Sequence, residues 1–504
     1  MSADPPEARR LALQTVLDAA RPAPERNRLG QFATPPALAR ELVGAALAWL
    51  APGQPLHFLD PAFGTGSFLS ALLGLVPAAR LAGLAAFEID RHYGDPAAAL
   101  WRPCGLDLTL GDFTRAAAPC PGPATLIVCN PPYVRHHHLE PAEKRRLQAM
   151  GERATGIRLS GLAGLYAHFM LLADSWAAGD ALAAWLVPAE FMDVNYGAGL
   201  RRYLSERVTL LRLHRFDPGE VQFGDALVTS AVLWWRHRPP PPGHGALFSY
   251  GGSIAAPRRL ETVPVARLRA APKWTAFPLA AETVPGDGGI LGDLLTIKRG
   301  VATGDNRFFI LGAAEIARRG LPPECFRPIL PGPRGLGAGV TVIDADAEGR
   351  PLLANPRYLL DCRLPEAELA ERHPALWRYL ESGVPAVSGR YLCRHRTPWY
   401  AQDLRPPPPL LCTYMGRGAA PFRFLLNRSR ATAPNVYLLL YPKPGAQPGL
   451  IERLWRGLNG IGAAGLIAAG RVYGGGLHKL EPGELARLPL AEVLAAADSA
   501  VKSA

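Results

Sequence analysis

The 504-residue chain reads as an α/β protein built on a doubly wound, mostly parallel seven-stranded sheet, followed by a second, mixed α+β domain. Three observations predict this. Short apolar runs alternate with helix-like segments through the first half. Several of those runs end in a turn that carries glycine or a carboxylate. The alternation then stops at Pro239 to Pro242, a stiff run that can continue neither a helix nor a central strand and so marks a domain boundary. Domains over residues 1–240 and 241–504 follow.

The seven strands are expected at Leu56–Leu59, Leu84–Phe87, Leu106–Leu110, Thr125–Cys129, Ala183–Val187, Leu210–Phe216 and Leu227–Trp235, with Leu247–Tyr250 a candidate further edge strand. Helices are expected at Pro36–Leu50, where proline suits the first turn, and at Ser67–Leu75, Tyr166–Ala178 and Tyr196–Arg207. Arg135–Ser160 is polar and basic without periodicity and reads as a long loop. Beyond the prolines the chain is rich in Gly, Pro and Arg, from Gly286–Gly289 onward, and only Pro365–Leu380 and Leu450–Leu458 read clearly as helices.

Composition narrows the class. Seven cysteines form no Cys-x-x-Cys pair, so neither a zinc site nor a disulfide framework is indicated. No apolar stretch of signal-peptide type opens the chain, and Gly and Pro interrupt its uncharged segments. A soluble, cytoplasmic protein without a membrane span is expected. The net charge of +12 is uneven: residues 1–250 hold 23 Lys+Arg against 22 Asp+Glu, and residues 251–504 hold 32 against 21. Between Arg390 and Arg430 eight arginines accompany one acid, Asp403, with Trp399, Tyr400, Tyr414 and Phe422 among them. Such a stretch suits a polyanion; the alternative is a solvated basic face.

The chemistry-bearing residues fall at successive strand ends. Asp60-Pro61-Ala62-Phe63-Gly64-Thr65-Gly66 joins the first strand to a helix, and Gly64 and Gly66 let a ligand approach the backbone. Leu69 stands where a dinucleotide fingerprint needs its third glycine, so a smaller ligand with an amino-acid tail fits better. Glu88 ends the second strand, where a carboxylate can accept from both ribose hydroxyls. Asp112 ends the third, placed to take an adenine amino group with Phe113 against the ring. After the fourth come Asn130-Pro131-Pro132-Tyr133. An aromatic amine is a poor nucleophile because its lone pair is delocalised. The Asn130 side-chain oxygen and the Pro131 carbonyl can both accept its hydrogen bonds, and Tyr133 can pack on its ring. The alternative is a plain turn, which Asn-Pro also favours.

The ordered set resembles the class I S-adenosylmethionine-dependent methyltransferases, and within them the TaqI-like DNA adenine methyltransferases of the XamI-like branch. Further marks are Arg28-Leu29-Gly30-Gln31-Phe32-Ala33-Thr34-Pro35-Pro36 before the glycine turn, Leu165-Tyr166-Ala167-His168-Phe169 after the Asn-Pro-Pro-Tyr loop, and Val187-Pro188-Ala189 leading to Asn195-Tyr196-Gly197. The likeness is specific over residues 28 to about 235. It is looser at Ile297-Lys298-Arg299-Gly300-Val301-Ala302-Thr303-Gly304 and Tyr473-Gly474-Gly475-Gly476-Leu477-His478-Lys479-Leu480. The resemblance implies the class I methyltransferase fold, with S-adenosylmethionine held by Thr34, Asp60, Ala62, Gly64, Gly66, Glu88, Ile89, Asp112 and Phe113. It implies that Asn130 and Pro131 bind the target amine, and that Tyr133 and Tyr196 stack on an adenine turned out of the duplex, with Phe191 the other candidate.

The resulting expectation is a site-specific DNA adenine methyltransferase, the modification enzyme of a restriction-modification system, acting as a monomer on double-stranded DNA. No metal is needed for the reaction, and His136-His137-His138 are read as a loop contact to phosphate rather than a metal site. Lys298, Arg299, Arg394, Arg396 and Lys479 are the candidate DNA contacts in the second half, with solvated surface charge the alternative. Only 27 residues precede the first motif, so a cognate endonuclease is expected as a separate protein. Rival readings are methylation of RNA adenine, of cytosine or of a protein glutamine amide, and a DNA-binding protein that has lost catalysis.

Overall fold

The computed structural model describes residues 6–120, 122–218, 220, 222, 229–278, 289–337, 339–473 and 477–502. Leu227 and Val228 of the seventh expected strand, Gly286–Gly288 and Gly474–Gly476 lie outside them. The chain divides into two compact units, with the boundary near residue 281.

The first unit is organised on one nine-stranded sheet: β1 (Leu56–Asp60), β2 (Leu81–Glu88), β3 (Leu106–Leu110), β4 (Ala124–Cys129), β5 (Ala177–Pro188), β6 (Thr209–Arg215), β7 (Ser230–Arg236), β8 (Gly245–Gly252) and β9 (Pro257–Pro264). Their spatial order is 3-2-1-4-5-7-6-8-9. All are parallel except β7 and β9. Because successive strand residues point to opposite faces, Leu126, Val128, Leu182, Ala184 and Leu186 enter one core, and Ile127, Cys129, Ala183, Trp185 and Val187 enter the other. Both faces are covered, which explains why these strands read as unbroken apolar runs rather than alternating ones.

Helices fill the two layers. Numbered along the chain they include α1 (Pro6–Ala19), α2 (Ala23–Leu29), α3 (Pro36–Leu47), α4 (Ser67–Leu73), α5 (Arg91–Trp101), α6 (Pro141–Thr155) and α7 (Leu165–Ala173), with the short helices Ala198–Arg202 and Val265–Ala270 beyond them. In α3 proline occupies the first turn, and Leu38, Ala39, Leu42, Val43 and Ala46 form the buried stripe. Order reverses between β1 and β4, so the carboxyl ends of those strands open onto the crevice where doubly wound sheets take ligands.

Four expectations need correction. The stretch read as a long loop contains α6, which buries only Leu147, Gly151 and Thr155; one residue in four is too sparse a stripe to stand out from a charged background. The boundary does not fall at Pro239–Pro242. That run is a connection inside the first unit, since β8 pairs in parallel with β6 and carries β9, extending seven strands to nine. The segment Pro365–Leu380 is two helices, Glu366–Arg372 and Pro374–Glu381, because Pro374 lacks the N–H needed to continue the first. Finally α1 and α2 were not anticipated.

The second unit contains a five-stranded sheet ordered Leu295–Arg299, Tyr437–Pro442, Leu410–Thr413, Phe424–Asn427 and Val342–Ile343. A three-stranded sheet orders Ile310–Gly312, Arg357–Leu360 and Phe326–Ile329. The helix at Leu450–Gly460 packs on Leu490–Lys502 through Gly457, where a Cβ would lie 2.1 Å from the Val493 carbonyl oxygen. Gly457→Ala should therefore destabilise this unit by about 1–3 kcal/mol, the usual cost of overpacking. Denaturant unfolding that separates the two units would show the lower midpoint for this one only.

Candidate active site

A cavity of about 560 Å³ lies in the crevice, formed by residues that follow β1, β2, β3 and β4. Gly64 stands at φ 57° with open space where a Cβ would point, so the turn after β1 presents bare backbone to the cavity. Gly66, at φ 90°, serves packing instead: a Cβ there would sit 2.6 Å from both the Phe63 ring and Trp101 Nε1.

Two carboxyls face one another across this turn. Asp60 is 1% exposed and accepts from the Ala62 N–H at 3.1 Å; burial, reinforced by nearby Glu88, pushes its pKa up to about 8. Glu88 uses both oxygens, accepting from the Gly64 N–H and the Asp90 N–H at 2.8 Å each, and burial raises its pKa too, against the lowering effect of those bonds. Next to it Ile89, 69% exposed, offers an apolar face at the cavity wall. Asp112 also lines the cavity. Its Oδ1 accepts from Thr114 N (2.9 Å) and Oγ1 (2.7 Å), and its Oδ2 lies 3.3 Å from Arg115 Nε, which fixes the carboxylate as the cap of the turn that carries Phe113. The Phe113 ring is held edge-on by Phe87 at 5.3 Å and tilted on Phe169 at 5.4 Å.

Asn130 is the most constrained residue of the site. Its Nδ2 donates both protons, to the Phe32 carbonyl at 2.9 Å and to Thr34 Oγ1 at 3.1 Å. That assignment leaves Oδ1 turned the other way, buried and without a hydrogen-bond partner among the described residues. A buried acceptor with no donor costs about 1–3 kcal/mol, so its retention calls for a ligand donor. The clamp exists because the 30–34 segment lies directly on the Asn-Pro-Pro-Tyr loop. Gly30, at φ 70°, brings its Cα so close that a Cβ would be 2.4 Å from Tyr133 N, and its carbonyl accepts from that N–H at 3.2 Å.

The remaining expected residues are less uniformly placed. Thr34, Ala62 and Pro132 line the cavity. Pro131 is buried, and the Tyr133 ring packs on Phe32 at 5.6 Å with its hydroxyl donating to the Leu186 carbonyl at 3.3 Å; neither is part of the cavity wall. Tyr196 is half-buried in the turn Asn195–Gly197, also outside the wall, and Phe191 is fully buried against Trp274. Sequence reasoning missed one wall altogether. Gln14, Asp18 and Arg21, on and just after α1, line the cavity. Arg21 pairs with Asp90, which also accepts from Gln31 at 2.7 Å; Tyr93 donates to Asp18 at 2.8 Å; and fully buried Arg10 donates to Thr65 Oγ1 at 3.1 Å. The only local signal was an arginine and a glutamine at helical spacing, Arg10 and Gln14, whose partner Thr65 is more than fifty residues away.

In the second unit the five candidate cations divide. Arg299 and Lys479 share the Glu481 carboxylate and both lie over the Tyr414 ring, at 5.6 and 5.9 Å. Lys298 is exposed, and Arg394 is exposed above Tyr391 at 5.4 Å. Arg396 is corrected from an offered cation to an internal clamp: its guanidinium donates to the Ala302 and Thr303 carbonyls and holds that loop. The basic run is similarly thinned. Of its eight arginines, Arg390, Arg396, Arg405, Arg423 and Arg428 are bound by carboxylates or carbonyls of the same unit. His136–His138 form one turn of 3-10 helix, and no group of His, Cys, Asp and Glu among the described residues could hold a metal ion. No helix among the described residues is long and apolar enough to cross a membrane.

The sequence and the fold are similar to those of known proteins. Residues 280–504 match the family model of the C-terminal domain of the type II methyltransferase M.Eco57I, and residues 125–223 match that of the Eco57I restriction-modification methylase. The chain is similar to the type II methyltransferase M.XamI of Xanthomonas campestris pv. amaranthicola, with 30% identity over 473 residues that cover 92% of this chain and 85% of that protein. It is also similar to the type II methyltransferase M.AccI of Acinetobacter calcoaceticus, 23% identical over 480 residues, 91% of this chain and 85% of that one. Among solved structures, the type IIL restriction-modification enzyme MmeI in complex with DNA superposes with a TM-score of 0.57 at 14% identity. That match covers 88% of this chain and 66% of the MmeI chain, just under two thirds, and is a likeness of fold.

The sign of the Asp60 shift sets a test. A carboxyl that keeps its proton up to about pH 8 when folded, but releases it near pH 4 when unfolded, makes the ligand-free protein lose stability as pH rises through that window. Asp60→Asn should remove this loss. In urea melts at pH 5 and pH 8, the wild type should fall relative to the variant by on the order of 1–3 kcal/mol.

Proposed function

The chain belongs to the type II restriction-modification methyltransferase family, and we propose that it is a site-specific DNA adenine methyltransferase using S-adenosylmethionine. The observation that carries this reading is Asn130 Oδ1, an acceptor held buried and unpaired at the cavity beside the turn after β1. An exocyclic amine is the donor it lacks. Accepting one N–H bond there draws the amine toward a pyramidal geometry and frees its lone pair for attack, with positioning the main source of rate.

The cavity fits the cofactor. Gly64 admits a ligand against the backbone, Glu88 has lone pairs left on both oxygens for ribose hydroxyls, and Asp112 with Phe113 suits an amino-bearing ring. Asp60 and Glu88, two carboxyls that burial holds away from ionisation, favour a ligand that brings positive charge. S-adenosylmethionine supplies there a methyl group activated by sulfonium charge. The walls from α1 and the 30–34 segment keep water from that methyl, while the Phe32 carbonyl and Thr34 hydroxyl hold the Asn130 amide in its accepting orientation. Because a paired base hides its amine in the stack, the adenine enters this site extrahelically. Tyr133 and Tyr196 are the aromatics assigned to stack on it.

The second unit is the target-recognition domain, with Lys298, Arg299, Arg394 and Lys479 its DNA-facing cations. The protein acts in the cytoplasm as a monomer.

Nucleoside mass analysis and direct-read sequencing of DNA from cells expressing the wild type and Asn130→Ala test the reading. N6-methyladenine at one recurring motif is expected in the first and at least roughly a hundredfold less in the second. Methylcytosine in place of methyladenine, or no methylated base at any motif, would overturn it.

A further inference from the structure

The second unit has a cavity of its own, about 950 Å³, beside its three-stranded sheet and lined entirely by residues of that unit. Its apolar floor is Leu321, Phe326, Tyr358, Leu404 and Pro406. Three polar groups stand out against that floor. Thr432, only 5% exposed, is tied through its backbone to the strand Phe326–Ile329: its N–H donates to the Pro328 carbonyl at 3.2 Å, and its carbonyl accepts from Leu330 N at 2.9 Å. Its Oγ1, however, is buried and has no hydrogen-bond partner among the described residues. The buried Nε of Arg405 is likewise unpaired, although the same guanidinium reaches Asp403 through an Nη at 2.8 Å. Arg430 has no side-chain hydrogen bond or ion pair among the described residues, and its direction is built in. Its stem crosses Gly349, at φ 80°, where a Cβ would lie 2.8 Å from the Arg430 Cδ and Cγ, so only glycine lets the guanidinium lie along this wall.

Two unsatisfied buried polar atoms beside one unpaired guanidinium, over an aromatic and aliphatic floor, select a ligand of definite chemistry. It must carry acceptors for an N–H and a hydroxyl, an anionic group for Arg430, and a flat apolar body for Phe326 and Tyr358. The other arginines of the rim are already neutralised: Arg327 by Asp361, and Arg350 by Asp346 and Glu348. One anionic group is therefore accommodated, not a polyanion. We propose that this cavity binds a nucleotide, with its phosphate on Arg430 and its base on the Phe326–Tyr358 floor within reach of Thr432 Oγ1 and Arg405 Nε. The site is separate from the methyl-transfer cavity and stands whether or not the adenine reading holds. Its nucleotide comes either from solution or from an unpaired position in a DNA strand.

The full chain, loaded with S-adenosylhomocysteine to occupy the first cavity, distinguishes these sources. Each deoxynucleoside monophosphate is titrated by calorimetry, and a duplex with one unpaired nucleotide is compared with its fully paired form. Thr432→Val, which keeps the shape, and Arg430→Gln are measured alongside, with circular dichroism to show that each is folded. Binding of a mononucleotide weakened at least about tenfold in both variants establishes a free-nucleotide site. Preference for the unpaired duplex over the paired one, lost in both variants, establishes the DNA source. Affinities that neither variant changes, or no binding and no preference in the wild type, would overturn the proposal.

Discussion

Everything in the first unit converges on the position of one side-chain amide. Asn130 turns its Oδ1 away from the 30–34 segment because Phe32 and Thr34, nearly a hundred residues earlier in the chain, hold its N–H groups on the other side. The sheet sets one side of that arrangement, since β4 delivers Asn130 to the carboxyl edge beside the order reversal. The other side depends on Gly30, whose missing Cβ lets the 30–34 segment lie against the backbone of Tyr133. The same contact places Thr34 and Phe32 in the wall of the cavity. Clamping the amide and covering the cavity are thus one structural act.

Charge follows a similar logic. Asp60 and Glu88 are kept close together in a site that disfavours their ionisation, and the glycine turn gives them backbone donors rather than cations. Energy held in that way is released to a ligand that brings positive charge and hydroxyl donors. In the second unit arginine is mostly cross-bracing. Five guanidiniums of the 390–430 run are engaged by carboxylates or carbonyls of their own unit, so formal charge there overstates what a partner would meet.

Glu88 and Asn130 were legible in the sequence because each ends or follows a short, uniformly apolar run of the kind a doubly covered strand requires, whereas Asp112 follows Leu106–Leu110, whose leucines alternate with Asp107 and Thr109. Glycine was legible for the same reason, through local geometry. What escaped depends on distance along the chain. Helix α1 carries Gln14 to Thr65 and Asp18 to Tyr93, 51 and 75 residues on, and nothing near them announces it. Helix α6 hides its three buried positions in a charged segment, and β8 joins β6 rather than the strand that precedes it. Arg396 looked like its neighbours until its acceptors, the carbonyls of Ala302 and Thr303, were brought to it by the fold. The division of roles between Pro132, which reaches the cavity, and Pro131, which is buried, is equally a matter of loop path rather than composition.

The central claim is that the Thr34 hydroxyl orients Asn130 for an incoming amine, and single-turnover methyl transfer with cofactor prebound to saturation measures it directly. Thr34→Ser keeps the acceptor, whereas Thr34→Val removes one of the two that hold the Asn130 amide and leaves only the Phe32 carbonyl. The account predicts a rate within about threefold of wild type for the serine variant and at least roughly tenfold slower for valine, with the valine rate independent of added cofactor. A valine variant that transfers methyl as fast as the wild type would contradict it.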